Sequence, residues 1–419
     1  TRKGCIMTDY WVDPLDGDAA NSGTTYTAAL SSFVDIFNGN LSGGITRGDR
    51  VFLMATTGDN ADASITVPVD DGAYAASQGI EGTTMGWRQF RGVNPSTLQE
   101  DGTKYILGTR NNQYASMIGK MERLCFYNIE FVGHLHVYTS GNGGVIFRYC
   151  IFSDGHPLIQ DYTGPIRSVY MGNAGHSFSE CLFINRGYNS NHTQAVRAGG
   201  SVYGTQQDYT NCEFRGFEDE AIYLDDNSLF YNCRFINNGV CHYQYYNRNR
   251  NSKSHTTNCF YENNDIDIIW NNIKNTTNET PKVRSHLGNV HNNCGGYNIQ
   301  WGETSYPISS MTSKRESRNL GFWNIDGNIY QNSTSGYSDK SFAGTTFEQL
   351  GWSIQDKGWT YGVFGTTFDP GSSGESRIMV GTADAQTFAI NNGRIGVFLQ
   401  SLTETIVVGN TTPEFGDMF

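Results

Sequence analysis

Proline is scarce in this chain, nine residues in 419, and charge is thin, with Asp, Glu, Lys and Arg making up 17%. With 49 glycines beside so few prolines, its tight turns must be made by glycine and by short polar side chains. No apolar run nears the ~18 residues that a membrane-spanning helix needs. Basic residues are the minority, 29 Lys and Arg against 41 Asp and Glu, for a formal net charge of −12. That sign argues against nucleic acid and against an anionic membrane surface as partners. The opening stretch, Thr1 to Ile6 followed by Met7, lacks the apolar segment of a signal peptide. A leader already removed and a chain that never had one both stay open, and Met7 is itself a candidate start.

What the chain does have is a repeat. Between Leu124 and Tyr261 a pattern of aromatic, two spacers, cysteine, spacer, aromatic recurs five times. Its first slots are Phe147, Phe178, Tyr209, Phe230 and Thr256; its cysteines are Cys150, Cys181, Cys212, Cys233 and Cys259; its last slots are Phe152, Phe183, Phe214, Phe235 and Tyr261. An earlier copy carries Phe126, Ile129 and Phe131, and Asn293-Cys294 reads as a degenerate seventh. Successive cysteine slots lie 21, 31, 31, 21, 26 and 35 residues apart, so a constant unit alternates with excursions of variable length. Stacked repeats behave this way, sharing a core and collecting insertions in loops.

Cysteine and the second aromatic, two residues apart, share one face of a strand, while the first aromatic stands at an odd offset from the cysteine. A corner must lie between them. The residue before the cysteine slot is Asn128, Asn211, Asn232 and Asn258 in four copies and Tyr149 and Glu180 in two. Asn suits such a corner because it tolerates the left-handed region and bonds to nearby backbone. A third strand per turn is expected at Val137-Tyr138, Val169-Tyr170, Val202-Tyr203 and Ile222-Tyr223. Five cysteines in one stacked core column are awkwardly oriented for disulfides, so they read as buried thiols acting as small apolar groups. Unbridged thiols point to folding in a reducing cytoplasm.

These FxNCxF copies, "FYNCRF" at 230 to 235 being the cleanest, resemble the pectate-lyase-like parallel β-helix proteins. The resemblance implies an all-β fold, a right-handed single-stranded parallel β-helix with an N-terminal capping helix and a C-terminal β segment. In that reading residues 1–55 cap the solenoid, 56–355 form it, and 356–419 make a C-terminal β segment, a candidate oligomerisation region. The opening "DYWVDPLDGDAANSGTT" and the "WNIDGNIYQN" and "SFAGTTFEQLGWS" segments resemble the two ends of such proteins. The capping helix is expected over Thr27 to Asn38, with Leu30, Phe33, Val34 and Phe37 on one stripe. Asp13, Asp16, Asp18 and Asn21 are a candidate calcium set, although their spacing matches no EF-hand loop; no other metal or cofactor is expected.

The same resemblance puts a carbohydrate groove on the third strand of each turn and the loops beside it. There the chain has its densest acidic cluster, Glu218, Asp219 and Glu220 before the strand and Asp225 and Asp226 after it. Glu220, Asp225 and Asp226 are the candidate catalytic carboxylates for glycoside hydrolysis, against the alternative of a solvated corner. The segments that accompany an Asp pair in polygalacturonases are missing. His134, His136, Arg197, His242, Arg248 and Lys253 lie near the face as bases or uronate partners, with no spacing that singles one out. "CHYQYYNRNRN" at 241 to 251 supplies the carbohydrate-binding candidates His242, Tyr243, Tyr245, Tyr246, Arg248 and Arg250.

Two functions are therefore expected. One is a phage-type virion surface protein, a tailspike or capsid-attached fibre assembled in the host cytoplasm, binding host or environmental glycans as a homotrimer with other virion proteins, with or without depolymerase activity. The other is a secreted polysaccharide lyase or glycoside hydrolase acting on an acidic polysaccharide.

Overall fold

The computed structural model describes residues 8–36, 48–55, 88–108, 115–118, 124–133, 135–138, 144–154, 167–171, 175–188, 193–198, 207–223, 228–244, 253–270, 283–295, 297–301, 322–326, 329–331, 335–338, 353–356, 397–398 and 407–408. These are almost entirely strands, and the pairing is parallel everywhere except in one short hairpin, Val397–Phe398 against Val407–Val408. The chain divides into two compact units, residues 1–201 with 205–208, and 202–204 with 209–419.

In the first unit the first sheet runs Asp9–Val12, Arg50–Met54, Arg88–Val93, Leu124–Tyr127, Val145–Arg148, His176–Ser179. The second sheet runs Tyr105–Gly108, Ile129–Val132, Ile151–Ser153, Leu182–Ile184, and the third Ala115–Ile118, Leu135–Tyr138, Arg167–Met171, Gln194–Ala198. The second unit repeats the plan. Its first sheet includes Ser228–Tyr231, Lys253–Thr257, Val283–Leu287, Phe322–Asp326 and Ser353–Asp356. Its second includes Glu213–Arg215, Arg234–Ile236, Phe260–Glu262, Val290–Asn292 and Ile329–Gln331. Its third runs Glu220–Tyr223, Val240–Gln244, Ile266–Trp270, Tyr297–Trp301, Ser335–Ser338. In each unit the chain visits the three sheets in rotation, a path compatible with a parallel β-helix.

The corners explain the register. Asn128, Tyr149, Glu180, Asn211, Asn232 and Asn258 all have φ between 53° and 57°, the left-handed conformation expected of that slot. Each corner N–H from Asn128, Tyr149, Asn211, Asn232 and Asn258 donates to a carbonyl of the following coil, at 2.9 to 3.1 Å. A second corner, after the second sheet, uses Gly133 and Gly216 or Asn237, Asn263 and Asn293, again at positive φ. Fixed corners place like residues over like. Phe90, Phe126, Phe147 and Phe178 are in register, as are Leu107, Phe131, Phe152 and Phe183. Phe152 is fully buried, stacked on Phe131 at 5.2 Å and Phe183 at 4.6 Å and edge-on to Phe147 and Phe178.

The eight described cysteines are free thiols, all buried. Within the ladder the Sγ of Cys150, Cys181 and Cys233 each donates at 3.5 Å to a carbonyl of the preceding coil. Burial pushes the Cys150 and Cys233 thiols well above their usual pKa range.

Three sequence expectations change. The seventh repeat is not Asn293-Cys294: Phe260 pairs with Val290 and Tyr261 with His291, so the cysteine column continues at Asn289, 30 residues after Cys259 (289 − 259), and Cys294 stands over Asn264. The Val-Tyr pairs do not align, because Tyr170 is in register with His136 and Arg197; Gln194–Ala198 is the third-sheet strand of its coil, and Val202-Tyr203 lies outside the described residues. No α-helix spans the described part of 27–38. Two 3-10 turns, Tyr26–Ala28 and Phe33–Ile36, flank Leu30, whose N–H and carbonyl bond to Trp11 and Asp13 and so are withdrawn from helix formation. On either side of those turns the N-terminal segment holds two strands, and Asp9–Val12 opens the first sheet, paired with Arg50–Met54.

Phe152→Ala is expected to destabilise the protein by about 3–5 kcal/mol, read as a lower urea midpoint at unchanged slope. Tyr149→Asn replaces an exposed side chain held at φ 54° and is expected to stabilise by about 1 kcal/mol; a lower melting temperature would contradict the corner analysis.

Candidate functional site

From the Val145 coil onward, the corner between first and second sheets is always two residues: 149–150, 180–181, 211–212, 232–233, 258–259 and 288–289. The third sheet is flanked differently. Residues 155–166 precede its strand Arg167–Met171, and 271–282 and 302–321 follow Ile266–Trp270 and Tyr297–Trp301. From the Val145 coil onward, length variation is thus concentrated at the two ends of third-sheet strands.

In the second unit the best described part of that face is built by Glu220–Tyr223 and Val240–Gln244. Their register pairs Glu220 with Val240, Ile222 with His242 and Tyr223 with Tyr243. Entry into the second strand depends on a close backbone approach. The Val240 N–H donates to the Asp219 carbonyl at 2.6 Å and the Gly239 N–H to the Phe217 carbonyl at 2.8 Å. A Cβ on Gly239 would lie 2.0 Å from the Glu218 carbonyl oxygen. Beneath the corner Asn238 donates to the Phe214 carbonyl, and its side-chain oxygen accepts the Phe217 N–H.

Tyr223 and Tyr243 are half-buried and stacked, ring centroids 5.4 Å apart and planes 23° from parallel. Rings stacked along the strand-to-strand direction spend their faces on each other. What they turn outward is edges and phenol ends, which suits hydrogen bonding to hydroxyl-rich or acidic ligands better than ring-on-ring stacking. Glu218 and Asp219 are exposed and Glu220 half-buried at the head of the strand.

His242 needs correcting. It is fully buried, pointing inward with centroids 4.6 Å from Phe230 and 4.4 Å from Phe235, and its Nε2 lies 3.0 Å from the Tyr261 hydroxyl. Cys241 and His242 are consecutive buried residues, so strict alternation fails here and the histidine has no surface to offer a ligand. Asp225, Asp226, Tyr245, Tyr246, Arg248 and Arg250 lie outside the described residues. Of the expected set the structure thus places Glu220 and Tyr243 on adjacent third-sheet strands, and it stacks Tyr243 on Tyr223, which was not among the site candidates. Of the calcium candidates, Asp13 accepts the N–H groups of Leu15 and Asp16, Asp18 accepts that of Ala20, and Asn21 donates to the Ala29 carbonyl. These are turn-closing bonds, and the described residues contain no group of three or more His, Cys, Asp or Glu placed to hold a metal.

Sequence reasoning missed a set of polar residues in the interior: Asp267, His286 and His291, each no more than 1% exposed. A signal was there. His286, Asn289 and His291 repeat the aromatic, cysteine, aromatic spacing with other residues in its slots. Compared with known proteins, the sequence matches no family model and no curated relative.

Gly239→Ala is expected to cost about 1–3 kcal/mol by forcing the corner apart. A melting temperature equal to that of the unaltered protein would show that the Glu218 carbonyl can move freely.

Proposed function

We propose that the chain is a right-handed, single-stranded parallel β-helix of the pectate-lyase-like kind, and that it works as a surface protein of a phage-type virion, a tailspike or capsid-attached fibre that binds glycans. The observation that carries this reading is the contrast between corners from the Val145 coil onward: two-residue turns between the first and second sheets, and long, variable segments at both ends of third-sheet strands. A scaffold built this way keeps its core constant while changing what one face meets. That face carries the paired tyrosines Tyr223 and Tyr243, with Glu220 at the head of the strand that bears Tyr223, groups that hydrogen-bond well to sugar hydroxyls. Buried, unbridged thiols suit assembly in a reducing cytoplasm.

The loops after the two strands, with Tyr245, Tyr246, Arg248 and Arg250 on one and Asp225 and Asp226 on the other, would complete the binding surface. In this reading three copies associate, and the hairpin of Val397–Phe398 with Val407–Val408 belongs to the segment that helps them do so. Fold alone does not separate an adhesin from an enzyme; the acidic cluster at 218–220 is what an acidic-polysaccharide lyase or hydrolase would use instead.

Light scattering of the purified chain at micromolar concentration is expected to give three times the 46.5 kDa chain mass; a monomer would count against the fibre. On a panel of capsular and algal polysaccharides, Tyr243→Ala is expected to weaken binding about tenfold, near 1.4 kcal/mol. Release of reducing ends or unsaturated uronate, abolished by Asp225→Asn, would replace the adhesin reading with the enzyme. Binding unaffected by Tyr243→Ala would remove the third-sheet face from the proposal.

A further inference from the structure

The interior of the second unit changes character along its length. Tyr209 stacks on Phe230, and Phe214 on Phe235, in two aromatic columns; in register beyond them stand Thr256 and His286 in one column, Tyr261 and His291 in the other. The polar members are joined. The Thr256 hydroxyl is hydrogen-bonded to His286 Nδ1, His286 Nε2 lies 2.7 Å from His291 Nε2, and His291 Nδ1 lies 2.6 Å from Asp267 Oδ2. Asp267 Oδ1 accepts the Asn264 side-chain amide at 3.0 Å, and Asn264 accepts from the Asn238 N–H and side-chain amide. His291 lies flat on Tyr261, centroids 4.5 Å apart. Every member is buried, Thr256 the most exposed of them at 4%.

Counting protons along this chain is informative. With both imidazoles neutral, Thr256 donates to His286, His286 donates through Nε2 to His291, and His291 donates through Nδ1 to the Asp267 carboxylate. One added proton is accommodated by reversing the polarity: His291 then donates from both nitrogens, His286 accepts at Nε2 and donates from Nδ1 to the Thr256 oxygen. A second proton has no such solution. It sets an N–H on His286 Nε2 against an N–H on His291 Nε2 at 2.7 Å, with two cations on fully buried side chains.

We propose that this buried Thr256–His286–His291–Asp267 chain is an acid-sensitive fastener, holding the coils of the second unit together while it carries at most one extra proton and releasing them when both imidazoles are charged. Among the described side chains, those around it are Cys241, His242 and Asp267 from the third sheet, Cys259, Cys294 and Asn289 from the corners, and Tyr261 from the second sheet; the backbone of the next coil places positions 325 and 330 in register with His286 and His291. Asp267 is the one carboxylate among these groups, and it already serves the first proton. Burial, then the neighbouring His291 and His242, hold His286 well below the usual imidazole pKa. The sign follows from linkage: below about pH 6.5 an unfolded histidine takes a proton that folded His286 resists, so stability is full above that pH and is lost as pH falls.

The test is hydrogen exchange by mass spectrometry on the full chain at pH 7.5 and 5.5, corrected for intrinsic exchange. Peptides covering 253–270 and 283–295 are expected to exchange at least tenfold faster at the lower pH, while those covering 88–108 in the first unit change little. His286→Gln keeps a donor and an acceptor but does not titrate, and is expected to abolish most of the acceleration. Equal protection at the two pH values in the unaltered chain would overturn the proposal. An undiminished acid response in His286→Gln would do the same. Should that variant fail to fold, the unaltered chain's exchange pattern decides alone, since acceleration spread evenly over both units would mean general carboxylate titration instead.

Discussion

The structure depends on one conformational constraint: a single residue per coil held in the left-handed region between the first and second sheets. That residue costs energy where it is not Asn or Gly, yet it turns the chain within two positions and aims its N–H at a carbonyl of the next coil. Once the corner is fixed, a slip of one residue in any strand would turn its inward set outward. Identical corners therefore impose identical registers, and identical registers pile phenylalanine on phenylalanine and cysteine over cysteine. The aromatic ladders are the consequence of the corner as much as the corner is stabilised by them.

Much of this was legible in the sequence because the constraint is local. Asn before Cys, with aromatics three before and two after, states the corner and both inward columns in six residues. What the pattern did not carry was identity within a slot. Anchoring the seventh copy on Cys294 shifted it by five residues, because the slot itself is held by Asn289, which caps the Cys259 N–H with its side chain instead of filling space with sulfur. The expected capping helix failed for a related reason: Leu30, Phe33, Val34 and Phe37 have helical spacing, but Leu30 is taken into a β-bridge with Val12, and pairing with an existing sheet outweighs the propensity of a short segment. His242 was misread because Cys241 and His242 are both inward, which no period-2 rule anticipates.

The interior is not uniform, and the difference between apolar and polar rungs has a thermodynamic meaning. In the first unit the stacked aromatic columns join coils by dispersion and apolar burial, which are insensitive to pH. At Thr256, His286 and His291 the same slots are joined by directional bonds in a low-dielectric interior, strong while satisfied and costly once one partner is lost. Two mechanically similar stretches of one repeat thus respond differently to the medium.

That division bears on how such a scaffold acquires function. From the Val145 coil onward the corner between the first and second sheets holds to two residues, although the Arg88 coil takes eleven, 94–104, at the same place without losing register. The ends of the third-sheet strands tolerate much, because loop-closure cost grows only slowly with length; there the chain inserts twelve residues at 155–166 and twenty at 302–321 without leaving the stacking pattern on either side. On the proposed reading, binding chemistry collects where length is free, and the third sheet supplies what free loops lack: a row of positions fixed by strand pairing, with the rings of Tyr223 and Tyr243 5.4 Å apart. A ligand recognised there meets groups whose spacing is set by the sheet and whose identity is set by the loops, so specificity can change while the geometry of the row stays the same.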